Sequence, residues 1–311
     1  LEPGFYMTYP KIAYLCALKE DYPKALEWID KCLAGSSSSG DKLTGHRWKA
    51  FYSYWLGSAG RSLGHLQKAH EIVATQAGEL FGIAAGNAQM VLEDQLRALF
   101  CYHLGKVELS RQANDAWFAR ASKAFPQDLK KFQTEHGLIA GWGDLKETDS
   151  PSARARLAEV RSLIPGIEPP ANQEVCRMMS DGLEAEILFQ EKKFGGAIAV
   201  IDRMPRPGPP SLPDDPEAFV DNLSADDLKA RALEAQGDLD RAIAEYERLT
   251  TLGAGGRGFL LIDPRFHYRL ARLYGKKALF YRKHGTALEL WTFKVGLLVS
   301  SRLKLAFWAA A

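Results

Sequence analysis

Apolar residues recur along this chain at three- and four-residue intervals, in runs separated by short polar or glycine-containing breaks, which predicts helices rather than strands. The most regular stretch is residues 230–249, Ala-Arg-Ala-Leu-Glu-Ala-Gln-Gly-Asp-Leu-Asp-Arg-Ala-Ile-Ala-Glu-Tyr-Glu-Arg-Leu. It reads as two amphipathic helices hinged at Gly237-Asp238, with alanines where the helices would touch. Two kinds of segment recur elsewhere. Ala50-Phe51-Tyr52-Ser53-Tyr54-Trp55-Leu56-Gly57 matches Ala98-Leu99-Phe100-Cys101-Tyr102-His103-Leu104-Gly105 in type or size, and each ends in a glycine that can close a helix in the left-handed conformation. The segments beginning Asp21-Tyr22-Pro23, Lys193-Phe194-Gly195 and Asp238-Leu239-Asp240 share an apolar residue, Ala three places later and a large apolar residue four places after that. This spacing puts the small and the large residue on one helix face, where the small one admits a partner helix.

With those landmarks the chain resembles the tetratricopeptide repeat family, a helix-turn-helix unit repeated in tandem, in its bacterial and degenerate form. In the unit around Gly237-Asp238 the packing slots are Ala230, Leu233, Ala242, Tyr246 and Leu249. In the first unit they are Ala13, Cys16, Ala25, Ile29 and Cys32. The resemblance implies an all-α fold, a right-handed superhelical solenoid of antiparallel helix hairpins. Six units are expected, at roughly 7–34, 44–75, 90–124, 174–204, 222–250 and 263–290, with a seventh, degenerate hairpin at 128–164. Between 44 and 164 the helices look longer than the family norm, and Ser62 and Ser110 replace alanine in the second helix. The expected division falls at Pro165–Pro170, giving an N-terminal set of repeats over 1–168 and a C-terminal set over 169–311. The second set is interrupted by a proline-rich segment at 205–216 that cannot be helical. After Tyr274 the turn of the last unit is missing.

Composition narrows the partner classes by exclusion. Lys and Arg number 40 and Asp and Glu 38, a net charge of +2, too balanced for the basic field of a nucleic-acid binder. A hydrophobic fraction of 46% with 25% charged residues matches a folded, soluble chain. Cys16, Cys32, Cys101 and Cys176 form no C-x-x-C pair and fall mostly in packing slots, so reduced, inert thiols are expected. The apolar C-terminal segment, with Trp291, Phe293, Leu297, Leu298, Phe307 and Trp308, is broken by Lys294, Arg302 and Lys304. It cannot supply the roughly 20 apolar residues of a membrane span, but it could dock on the last repeat or support self-association. The first residues carry neither an initiator Met nor a signal peptide, as in a fragment or processed product, and a cytoplasmic location is favoured.

No catalytic signature is found. Gly253-Ala254-Gly255-Gly256-Arg257-Gly258 lacks the preceding strand and following Lys-Ser of a phosphate loop. His65, His70 and Glu71 do not make a zinc-protease helix, and no cofactor or metal is expected. The concave surface lined by the first helix of each unit remains. The family geometry places there Tyr14, then Arg47, Phe51 and Tyr54, then Gln95 and Tyr102, then Phe189, then Arg231, then Arg272. Aromatics with a few arginines are the residue types that anchor peptides. The expected function is a non-enzymatic scaffold or adaptor, part of a larger regulatory protein, that binds a peptide segment or a partner domain in this groove. The alternatives are a small-molecule or oligosaccharide-binding module and, more remotely, a helical-toroid enzyme, for which buried acidic pairs at an enclosed cavity would speak.

Overall fold

The computed structural model describes residues 8–205, 222–251 and 264–284, and among them every regular element is a helix. α1 (Thr8–Ala17) pairs with α2 (Tyr22–Gly35), and α3 (Ser39–Trp55) with the first part of α4 (Ala59–His103). The last part of α4 pairs with α5 (Val107–Ala124), α6 (Leu129–Lys146) with α7 (Ser150–Leu163), α8 (Pro170–Gln190) with α9 (Phe194–Arg203), and α10 (Asn222–Ala235) with α11 (Leu239–Thr251). α12 (Pro264–His284) packs on α11.

One turn is used six times. Glu20, Gly57, Gly105, Thr148, Lys192 and Gly237 all have φ between 60° and 85°. Each donates its N–H to the carbonyl three residues back, and the residue after it donates to the carbonyl five back, at 2.8–3.1 Å. This double bond pattern satisfies the last carbonyls of the first helix while reversing the chain. In three of the turns the next residue is Asp21, Asp149 or Asp238, whose carboxylate accepts from the N–H three places on and caps the second helix.

Counting from the turn gives the packing rule. Seven residues before it stand Ala13, Ala50, Ala98, Gly141, Ala185 and Ala230, and five after it Ala25, Ser62, Ser110, Ala153, Ala197 and Ala242. All are buried. No side chain larger than serine occurs at either place, so the two helices of each hairpin approach closely there. Where serine replaces alanine in α5, Ser110 Oγ donates to the Ala98 carbonyl across the interface at 2.8 Å. Gly141 serves a second neighbour as well, since a Cβ there would lie 2.8 Å from Leu183 Cδ2 on α8.

The hairpin expected to be degenerate, at 128–164, is therefore a regular member of the array. Its landmarks are Gly141 and Thr148 where other units show Ala and Gly. Units two and three are not separated by a loop, because α4 runs unbroken for 45 residues and serves as second helix of one and first helix of the next. No proline interrupts it. In the last unit, where the sequence lacks a turn after Tyr274, α12 continues straight through Gly275. Residues 206–221, the Gly253–Gly258 loop and the apolar segment beyond 284 lie outside the described residues.

The core changes character along the array. Trp48, Phe51, Tyr52, Trp55 and Phe100 form an aromatic cluster with Tyr22 beneath the first three hairpins. Aliphatic side chains dominate later, as where Leu138, Leu157 and Val160 meet Met179, Leu183 and Ile187 in one cluster that crosses residues 165–170. All four cysteines are free thiols, three of them buried, and burial pushes Cys32 up to about 11. Among the described residues no helix is long and apolar enough to cross a membrane.

Two outcomes follow from this packing. A β-branched residue at positive φ is strained by about 1–2 kcal/mol. Thr148→Gly should therefore raise the urea midpoint by on the order of 1 kcal/mol of stability, and an unchanged or lower midpoint would refute the shared-turn account. Between α3 and α4, the Nδ1 atoms of His46 and His65 lie 3.2 Å apart with the rings stacked. Burial, reinforced by Lys49 and Lys68, lowers both imidazoles to about 4. The unfolded chain, with histidines near 6.5, thus binds more protons across that window, so stability is full above it and falls as pH drops from about 6.5 toward about 4. Unfolding curves measured across this range should slope less in His46→Gln than in the parent.

Candidate functional site

The inner wall of the array follows the same register. Places ten, six and three residues before each turn fall along one stripe of the first helix, and several of their side chains meet a neighbouring first helix. The six-before places read Tyr14, Phe51, Leu99, Trp142, Glu186 and Arg231, and the three-before places include Tyr54, Tyr102, Phe189 and Glu234. Contacts between successive first helices run along this stripe. Tyr14 meets Trp48 at 5.9 Å between ring centroids, Tyr54 meets Phe100 edge-on at 5.6 Å, and Tyr102 meets Trp142 at 6.4 Å. Arg231 lies over the Phe189 ring at 4.9 Å. The wall is therefore aromatic toward the N-terminal hairpins and charged toward the C-terminal ones.

Its charged part is organised by Asp227, on α10. The carboxylate accepts from Arg231 Nε at 3.0 Å, from the Tyr246 hydroxyl at 2.8 Å and from Arg269 of α12. Arg231 also reaches Glu186 of α8 at 3.1 Å, tying three first helices in a row. Burial opposes the Arg231 charge, but Glu186 and Asp227 outweigh it and hold the pKa raised. Tyr246 is shifted up by burial and by Asp227, so its hydroxyl stays a donor. Farther out, Arg272 Nη2 donates to both carboxylate oxygens of Glu234 at 2.6 and 2.8 Å, and Lys276 joins the pair. On the other half, Arg47 of α3 binds Glu93 and Gln89 of α4.

α12 closes the curve. Arg265 donates to the Tyr54 hydroxyl at 2.9 Å, and His267 lies 3.2 Å from Glu20 in the first turn. The last described helix thus touches the first two hairpins. Lys146, at the end of α6, is exposed, with its amine over the Tyr102 ring at 4.9 Å.

No family model and no curated protein matches the chain. Among solved structures it is similar to NprR in complex with its cognate peptide NprX, at 13% identity over 93% of this chain and 76% of that one, with a TM-score of 0.49. It is also similar to the TPR2AB-domain:pHSP90 complex of yeast Sti1, at 14% identity over 87% and 97% of the two chains, with a TM-score of 0.30. This chain is an all-α solenoid of tetratricopeptide-like hairpins. Its own turns and small-residue slots carry that assignment.

Of the nine residues expected on the groove, Tyr14, Tyr54, Gln95, Tyr102 and Phe189 are half-buried on first helices. Phe51 is not available: it is 4% exposed, packed on Trp48, Trp55 and Phe100. The three arginines are accessible to different degrees and carry partners. Arg47, Arg231 and Arg272 lie on first helices as expected, but each is already engaged by a carboxylate of a neighbouring first helix, so they join units together. Sequence reasoning missed Trp142, Lys146, Glu186, Asp227, Arg265 and Arg269. Applying the turn register to the fourth hairpin finds Trp142, and applying it to the fifth and sixth finds Glu186 and Asp227. No sequence signal places Arg265 beside Tyr54.

Buried carboxylates also occur side by side in α4, where Glu93 and Asp94 are both nearly inaccessible. They face different neighbours. Glu93 pairs with Arg47, while Asp94 pairs with Arg120 of α5 at 2.9 Å and with His70 at 3.4 Å. Burial pushes the Glu93 carboxyl upward against the pull of Arg47. Glu93 thus ties α4 to α3, and Asp94 ties it to α5.

The contrast between hub and rim can be measured. Asp227→Ala leaves two guanidiniums and a phenol without their shared acceptor and should cost about 2–4 kcal/mol. Arg272→Ala, in a half-exposed pair, should cost no more than about 1 kcal/mol. Equal losses in denaturant titrations would show that the Asp227 network does not join the units.

Proposed function

We propose that this chain is a non-enzymatic interaction module that holds an extended peptide segment of a protein partner against its inner wall. One observation carries the reading. Tyr14, Tyr54, Tyr102, Trp142 and Phe189, from five hairpins, line one stripe and remain half-buried. Large rings with few rotors, held by a rigid wall and left partly accessible, bind extended chains with little ordering cost. The wall is built from rigid helices whose positions are fixed by the turns and the inter-unit ion pairs, so the rings are preorganised.

Selection of a random peptide library on the immobilised chain tests this. Enriched peptides should bind Tyr102→Ala about tenfold or more weakly than the parent, with the far-UV circular dichroism and thermal midpoint retained. Failure to enrich any sequence, or enriched peptides indifferent to Tyr102, would overturn the reading.

A further inference from the structure

Lys146 differs from the other cations of the inner wall. Arg47, Arg231, Arg269 and Arg272 each sit on a carboxylate. The Lys146 amine has the Tyr102 ring beneath it, and among the described residues no carboxylate lies within ion-pair distance. Its surroundings are Glu186 of α8, Arg231 of α10, and Arg265 and Arg269 of α12. Glu186 is already bonded to Arg231, and Arg231 and Arg269 share Asp227.

Among the described residues the Lys146 amine thus has a ring beside it and no carboxylate within ion-pair distance. Lys146 is accessible to solvent. Burial lowers its pKa, Glu186 opposes this, and the three guanidiniums add to the depression. A carboxylate brought to the amine would relieve that repulsion and gain a charge-assisted hydrogen bond. Apolar surface stands next to it, because Tyr102 lies under the amine and Trp142 beside Tyr102.

We propose that Lys146 anchors an anion subsite of the groove, which takes a side-chain carboxylate of an acidic peptide segment while a neighbouring apolar residue of that segment packs on Tyr102 and Trp142. This rests on the peptide-binding reading above. It adds the partner's chemistry: acidic residues alternating with apolar ones.

Two short fluorescein-labelled peptides of equal length, one alternating Glu with Leu and the other Gln with Leu, distinguish the cases by fluorescence anisotropy with the full chain. The Glu peptide should bind about tenfold or more tighter than the Gln peptide, and the advantage should shrink in about 1 M salt, where the screening length is ~3 Å. Lys146→Glu should abolish the preference and Lys146→Arg should keep it, both with unchanged far-UV circular dichroism, since the side chain is exposed at a helix end. Equal binding of the two peptides would overturn the subsite and leave the groove reading standing. Binding of neither would count against both. A Glu preference untouched by Lys146→Glu would place the carboxylates elsewhere and defeat the proposal.

Discussion

Everything in this molecule hangs on a chain reversal that needs one residue in the left-handed region and two small residues at fixed distances from it. The reversal closes the last carbonyls of one helix with two backbone bonds, and the small residues, seven before and five after, let the two backbones come together. Neither condition suffices alone. A left-handed turn without the small pair would splay the helices, and a small pair without the turn would not face each other. Because both are met six times with the same offsets, each first helix presents the same places outward to the next. A solenoid results from that repetition.

The inter-unit ion pairs follow from this register. An arginine on one first helix can reach a carboxylate on the next only if both lie on the face that the hairpin contact leaves open. Arg231 with Glu186, Arg269 with Asp227, and Arg47 with Glu93 all meet that condition. The pairs cost desolvation and return it through several bonds at once, as at Asp227, where two arginines and the Tyr246 hydroxyl share one carboxylate. The hairpin contact is apolar and tight, whereas the contact between units carries polar specificity on its inner edge. Arginine on this wall is mostly a joint between units.

Much of the hairpin chemistry was legible in the amino-acid sequence, because it is local. Ala230, Gly237 and Ala242 stand within a few turns of one another, and helical periodicity relates them directly. The fourth hairpin was read as degenerate because Gly141 and Thr148 meet the same steric demands with different residue types. The unbroken α4 was hidden for a related reason: its two ends carry the landmarks of separate units, and nothing in a repeat pattern requires a loop between them. The groove arginines lie on the expected helices, but the sequence does not show the carboxylates that engage them. Which carboxylate an arginine meets depends on the offset between units, and that offset is set by packing spread over many residues.

The closure by α12 depends on that accumulated offset. Each unit contributes a small rotation, and only their sum brings Arg265 to Tyr54 and His267 to Glu20, so the contact reports on every hairpin between. The absence of a turn after Tyr274 belongs to the same geometry. A reversal there would end α12 at Tyr274, whereas the continuous helix carries Lys276 to Glu234 and Lys277 to Asp240 and so fixes α12 against the sixth hairpin beyond the point where a turn would fall. One end of α12 is thus held to the first two hairpins and the other to the sixth. The inner wall is bounded by α12 at its far end because this last helix did not become a hairpin.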